Sequence, residues 1–137
     1  MTSKLFMQVR ERDALCYDIS SAYHGSKGIL TVAAGIDFDK MELVQQQVLA
    51  ALQQCCRGEI TEMELLAAKE ALLSSLRTTH DSPSAIESYY ATAALSGLGL
   101  TPASYMEQVQ KVTVEQVAQV ASTVRLHTVF SLKGVGV

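Results

Sequence analysis

Between residues 16 and 36 the hydrophobic pattern changes period, and that change limits what the chain can become. In Cys16-Tyr17-Asp18-Ile19-Ser20-Ser21-Ala22-Tyr23, the side chains of Tyr17, Ile19 and Tyr23 fall on one side of an extended segment. Ile29-Leu30-Thr31-Val32-Ala33-Ala34-Gly35-Ile36 reads as a second such segment. Apolar residues at alternate positions are the mark of a strand with one face turned inward. The link between the two, His24-Gly25-Ser26-Lys27-Gly28, is short and carries two glycines. A link of that length joins antiparallel neighbours, so the segment predicts a β-hairpin.

On either side of the hairpin the spacing is helical. Residues 3–13 place Leu5, Phe6 and Val9 on one face, with Ser3 as the N-cap. Asp39 followed by Glu42 predicts a capping box opening a helix whose apolar stripe is Met41, Val44, Val48, Leu52 and Cys55. Gly58 is placed to end it. Thr61 with Glu64 repeats the capping-box pattern, and Leu65, Ala68, Leu72, Leu73 and Leu76 give the next helix its buried face. Asp81-Ser82-Pro83 breaks that helix and opens another running to about Leu95. After the break Ser96-Gly97-Leu98-Gly99-Leu100, Thr101-Pro102 begins a short helix to about Val109. Thr113 with Gln116 caps a last one carrying Val114, Val117, Ala121 and Val124. Residues 127–133, His-Thr-Val-Phe-Ser-Leu-Lys, are β-branched and aromatic enough to predict a third strand.

The order helix, hairpin, run of helices, strand gives the α+β class: an antiparallel sheet with helices packed on one face. Three strands make a narrow sheet, whose unpaired edge groups invite a partner strand or self-association into a homo-oligomer. With 137 residues, 48% of them apolar, residues 1–137 suit one domain with its own core. No apolar run approaches the ~18–20 residues of a membrane span, and the first residues lack a signal-peptide stretch. A net charge of −3 with 11 Lys+Arg offers nucleic acid no electrostatic footprint. The three cysteines, Cys16, Cys55 and Cys56, form no disulfide framework, and they point to structural roles in a reducing, cytoplasmic setting.

Few residues offer chemistry. His24, His80 and His127 lack the His-x-x-x-His or His-x-x-Glu-His spacing that presents two imidazoles to one metal, so no metal is expected here. Nucleophile elbows, phosphate loops and dinucleotide fingerprints are absent from the sequence. One pair stands out. Arg10 lies near the end of the first helix and Tyr17 begins the adjoining strand, where both could turn toward a common point. A guanidinium fork and a phenol donor suit gripping a peptide carbonyl, or the oxyanion formed when water attacks it. The plainer reading leaves Arg10 in a solvated run with Glu11, Arg12 and Asp13, and packs Tyr17 on the sheet.

At these residues the sequence resembles a known family. Ser3-Lys4-Leu5-Phe6-x-x-Val9-Arg10-Glu11-x-x-x-Leu15-x-Tyr17 is similar to the C-terminal half of insulinase/pitrilysin-type zinc metallopeptidases, relatives of the mitochondrial processing peptidase. The likeness continues through Lys27-Gly28, Ala34-Gly35-Ile36, Gly58-Glu59-Ile60-Thr61, Asp81-Ser82-Pro83 and Val112-Thr113-x-Glu115-x-Val117, ending at Thr128-Val129-Phe130. It is strongest to a bacterial cytoplasmic subfamily with paired active and inactive members.

The resemblance implies a LuxS/metallohydrolase-like half-domain. It also implies that Arg10 and Tyr17, at the family's separation, hold the substrate backbone and stabilise the tetrahedral intermediate. Zinc, bound through His-x-x-Glu-His, would belong to a homologous half-domain or subunit that partners this one. Without that motif this piece is not expected to bind zinc or to hydrolyse peptides alone. The family's half-domain opens with a strand and helix ahead of the Ser-Lys-Leu-Phe helix, so the sheet is expected to be truncated there. The alternative is an inactive scaffold or interaction subunit of the same family.

Overall fold

The change of period at residue 16 marks a structural boundary. The computed structural model describes residues 4–134, with the side chains of Glu11, Arg12 and Phe38 left aside; the expected Ser3 cap lies outside the described residues. Strands β1 (Asp18–His24) and β2 (Ile29–Gly35) pair antiparallel, from Asp18 opposite Gly35 to His24 opposite Ile29. Gly28 closes the turn at φ +62°, a left-handed conformation that glycine adopts without strain. The register gathers Ile19, Ser21 and Tyr23 with Leu30, Val32 and Ala34 on one face. Of that apolar set only Ile19 is buried.

The helices follow the capping signals with one exception. A wide helical turn with π geometry, Phe6–Arg12, precedes the hairpin. After it come α1 (Met41–Cys56), α2 (Glu62–Arg77), α3 (Pro83–Leu95), α4 (Pro102–Lys111) and α5 (Val114–Ala121). Thr61 and Glu64 form a reciprocal capping box on α2, and Thr113 and Gln116 form one on α5. Ser82 caps α3 and Thr101 caps α4, each followed by proline at the first helical position. Gly58 ends α1 at φ +71°, with Glu59 N–H donating to the Gln54 carbonyl at 2.9 Å and Gly58 N–H to the Cys55 carbonyl at 3.0 Å, a Schellman pair.

Asp39 and Glu42 do not form the expected box. A 3-10 turn, Phe38–Lys40, leads straight into α1, whose N-cap position is Lys40 with no side-chain cap. The chain is already coiled at Asp39, with Lys40 N–H bonded back to the Asp37 carbonyl at 3.0 Å, so Asp39 lacks the extended backbone from which a cap reaches forward.

Two further expectations are corrected. Residues 127–133 make no strand: among the described residues the sheet is β1–β2 alone, and Phe130 and Leu132 stand 83% and 89% exposed. A β-branched sequence favours extended backbone, but a strand also needs a neighbour to complete its ladder, and among the described residues none pairs with it. On α2, Leu73 and Leu76 are buried and Leu65 partly so, whereas Ala68 and Leu72 are exposed, so the packed stripe is narrower than the expected face.

Packing divides into two clusters. Val9, Ile19 and Val44 form one, flanked by Leu5, Leu15, Cys16, Ile36 and Val48, and it joins the first helix, β1 and α1. Leu73, Leu76 and Val109 form the other, with Tyr89, Tyr105 and Met106 around it. Polar ties bridge the elements: Lys4 Nζ meets Glu64 Oε1 at 2.9 Å, Gln8 Nε2 donates to Gln54 Oε1 at 2.9 Å, and Lys69 Nζ donates to the Gln110 carbonyl at 2.9 Å.

Candidate functional site

The π-type turn decides where Arg10 and Tyr17 sit. Val9 is completely buried, which fixes the rotation of the first helix and leaves Arg10 half-buried at the edge of the first cluster. Its guanidinium carbon lies 4.9 Å from the Phe6 ring centroid, one helical turn back, in cation–π geometry. The widened turn closes with Asp13 N–H donating to the Gln8 carbonyl at 3.2 Å and Leu15 N–H to the Val9 carbonyl at 3.0 Å. Ala14, between them, takes φ +47°. That conformation is uncommon for a residue with a Cβ, and both it and π-type turns concentrate at functional sites.

Tyr17 follows immediately. Its N–H donates to the Gly35 carbonyl at 2.8 Å, carrying the β1–β2 ladder one residue beyond the strands. The side chain is 69% exposed, and its hydroxyl donates to Asp37 Oδ1 at 2.5 Å. The second oxygen of Asp37 meets Lys40 Nζ at 3.0 Å. The hydrogen bond to Asp37, and its negative charge, raise the Tyr17 phenol above its ordinary pKa. The same bond, with help from Lys40, lowers the Asp37 carboxyl. Across the neutral range the pair therefore remains phenol donor and carboxylate acceptor.

Ala14, Leu15, Cys16, Tyr17, Asp37 and Lys40 line a shallow cleft of about 40 Å³. Tyr17 forms part of its wall; Arg10 does not. Arg10 is close enough to pull the Cys16 thiol downward, but burial dominates and leaves that thiol raised. Burial raises Cys55 as well. Thiols held protonated are poor nucleophiles, so the cleft offers hydrogen bonding and charge rather than covalent chemistry.

Among the described residues no group of three or more His, Cys, Asp or Glu side chains could hold a metal ion, so they do not fit a zinc site. His24 instead sits 3.3 Å from the Thr31 hydroxyl and His127 2.7 Å from that of Thr128. No helix among the described residues is long and apolar enough to cross a membrane.

Sequence reasoning singled out Arg10 and Tyr17 and missed Asp37 and Lys40. The signal was present in the hairpin register: setting Asp18 opposite Gly35 brings Tyr17 beside Ile36, within a phenol's reach of Asp37. Ala14 carried no such signal, since nothing in an alanine announces a positive φ.

Residues 1–72 match the family described as the peptidase M16 inactive domain. A Bacillus subtilis protein named a probable inactive metalloprotease is 24% identical over 132 residues, covering 96% of this chain and 31% of that protein. An uncharacterized zinc protease of the same organism is 33% identical over 85 residues, covering 60% of this chain and 20% of its own length. Among solved structures, a conserved protein from Enterococcus faecalis V583 superposes with a TM-score of 0.79 at 30% identity, over 88% of this chain and 28% of that one. A protease from Helicobacter pylori shares the fold, with a TM-score of 0.74 at 21% identity over 88% of this chain and 30% of its own. The chain spans about a third or less of the length of each of these relatives.

Proposed function

Because this chain belongs to the peptidase M16 family, as its inactive domain, we propose that it is the substrate-binding, non-zinc half-domain of an insulinase-type metallopeptidase. Arg10 grips the peptide backbone, and Tyr17 donates to the oxyanion that forms when water attacks the scissile carbonyl. Zinc belongs to a partner, a homologous half-domain or subunit, and the assembled protein works in the cytoplasm. The observation that carries this reading is the exposed phenol of Tyr17 at the rim of a cleft, one turn of chain beyond the helix that bears Arg10. The bare apolar face of the hairpin supports a partner too, either the zinc-bearing half or a second copy meeting the open sheet edge.

The test is Tyr17→Phe in the enzyme assembled with its zinc-bearing half. Loss of one oxyanion donor should lower kcat by roughly ten- to a thousand-fold while the variant folds normally. An unaltered rate would remove Tyr17 from the reaction. A second reading, an inactive scaffold or interaction subunit, draws on the relative named a probable inactive metalloprotease. Under it Tyr17→Phe and Arg10→Lys leave assembly and every partner activity unchanged.

A further inference from the structure

A tyrosine hydroxyl has one proton to donate, and in this structure Tyr17 has already given it to Asp37. A ligand entering the cleft therefore meets a hydroxyl whose proton is already held by Asp37, another residue of the cleft wall. We infer that Asp37 is a latch on Tyr17, a positioning residue that withholds the hydroxyl proton from a neutral substrate carbonyl and yields it only to a charged oxyanion. The inference rests on the reading that Tyr17 faces the peptide.

The chemistry sets the order of preference. A carboxylate is a far better acceptor than an amide carbonyl, so a docked peptide in its ground state cannot take the proton from Asp37. An oxyanion is itself charged and competes on equal terms. Lys40 makes release feasible: it already holds the other oxygen of Asp37 at 3.0 Å and remains as partner when Tyr17 turns away. Among the described residues the charged groups that act on the phenol are Asp37, Lys40 and Asp39. Such a contact contributes in the transition state and not to substrate binding, which is how a single hydrogen bond raises kcat rather than merely lowering KM.

Two measurements test the latch. In the chain labelled with 13C-tyrosine, the Tyr17 ring signal, assigned by its loss in Tyr17→Phe, should titrate at lower pH in Asp37→Asn and lower still in Asp37→Ala. No movement of the Tyr17 titration would show that the bond does not form in solution and would overturn the latch. In the assembled enzyme, Asp37→Ala should lower KM by roughly tenfold, the order of one hydrogen bond, without a matching rise in kcat. It should have no effect on KM in the Tyr17→Phe background. Equal effects in both backgrounds, or a kcat rise with KM unchanged, would also overturn the latch while leaving Tyr17's role intact. Tyr17→Phe without consequence is a separate failure, of the functional reading itself, and it leaves the latch nothing to gate.

Discussion

Helix α2 and the β1–β2 hairpin both enter the fold with apolar residues in register, yet α2 buries Leu73 and Leu76 against α4 while the hairpin buries only Ile19. Tyr23, Leu30 and Val32 share the face of Ile19 and remain exposed. The helix ends are closed by this chain's own residues, with boxes at Thr61 and Thr113 and a Schellman turn at Gly58, although Met63, Leu66 and Leu95 on the helices stay exposed. The hairpin is closed at one end only, where Val9 and Val44 reach Ile19. The difference teaches that the buried apolar contacts of α2 are made to another helix, whereas the sheet face is packed only where the first helix and α1 reach it. The cleft of Tyr17 lies at the hairpin's anchored end, so its geometry rests on the one part of the sheet that is packed.

The strongest challenge to this contrast is Leu73→Ala, which should cost about 2–5 kcal/mol by urea unfolding, the range for emptying a buried leucine site. A much smaller loss would mean that the helical cluster is looser than its burial indicates. Ile19→Ala should approach that range and, unlike Leu73→Ala, should selectively deprotect the hairpin amides in hydrogen exchange. Equal deprotection of α2 would show that the two clusters unfold as one. At the next level, Thr61→Ala should cost about 1 kcal/mol, whereas Asp39→Ala, lacking a capping bond, should stay within about 0.5 kcal/mol. Val32→Ala, on the bare end of the sheet face, should likewise change stability by no more than about 0.5 kcal/mol in the chain alone.

The smallest expected effect is a pH dependence at Glu64. Burial alone would raise this carboxyl, but hydrogen bonds from Lys4 and from the Thr61 amide and hydroxyl outweigh it, and the folded pKa is lowered. The stability this gives is therefore present above the unfolded carboxyl pKa of ~4.3 and is lost as pH falls through the lower folded value. Glu64→Gln should flatten the acid side of the stability curve; an unchanged acid limb would remove Glu64 from the tie between the first helix and α2.

Local patterns made most of the elements legible. The His24–Gly28 link foretold the hairpin, and Ser82-Pro83 and Thr101-Pro102 foretold two helix starts. Failures came where a residue's neighbourhood, distant or adjacent, overrode its own preference. Residues 127–133 have strand propensity but no neighbour. Asp39 has a capping side chain, but the 3-10 turn before α1 denies it the backbone conformation to use it. Of the two candidate residues, Tyr17 lines the cleft and Arg10 does not, whereas Asp37 acquired its part only when β2 returned beside β1.

By itself the sequence determined the hairpin, the order of the helices, the end of α1 and the starts of α2 to α5, because capping, proline and glycine act through bonds a few residues long. It also supplied the phenol of Tyr17, which the fold sets in the cleft wall. Tertiary structure alone decided which apolar residues are buried, that Ala14 is held at positive φ, and that the Tyr17 proton points to Asp37. Those outcomes depend on which surfaces meet, and a hydroxyl has no direction until the fold places an acceptor beside it.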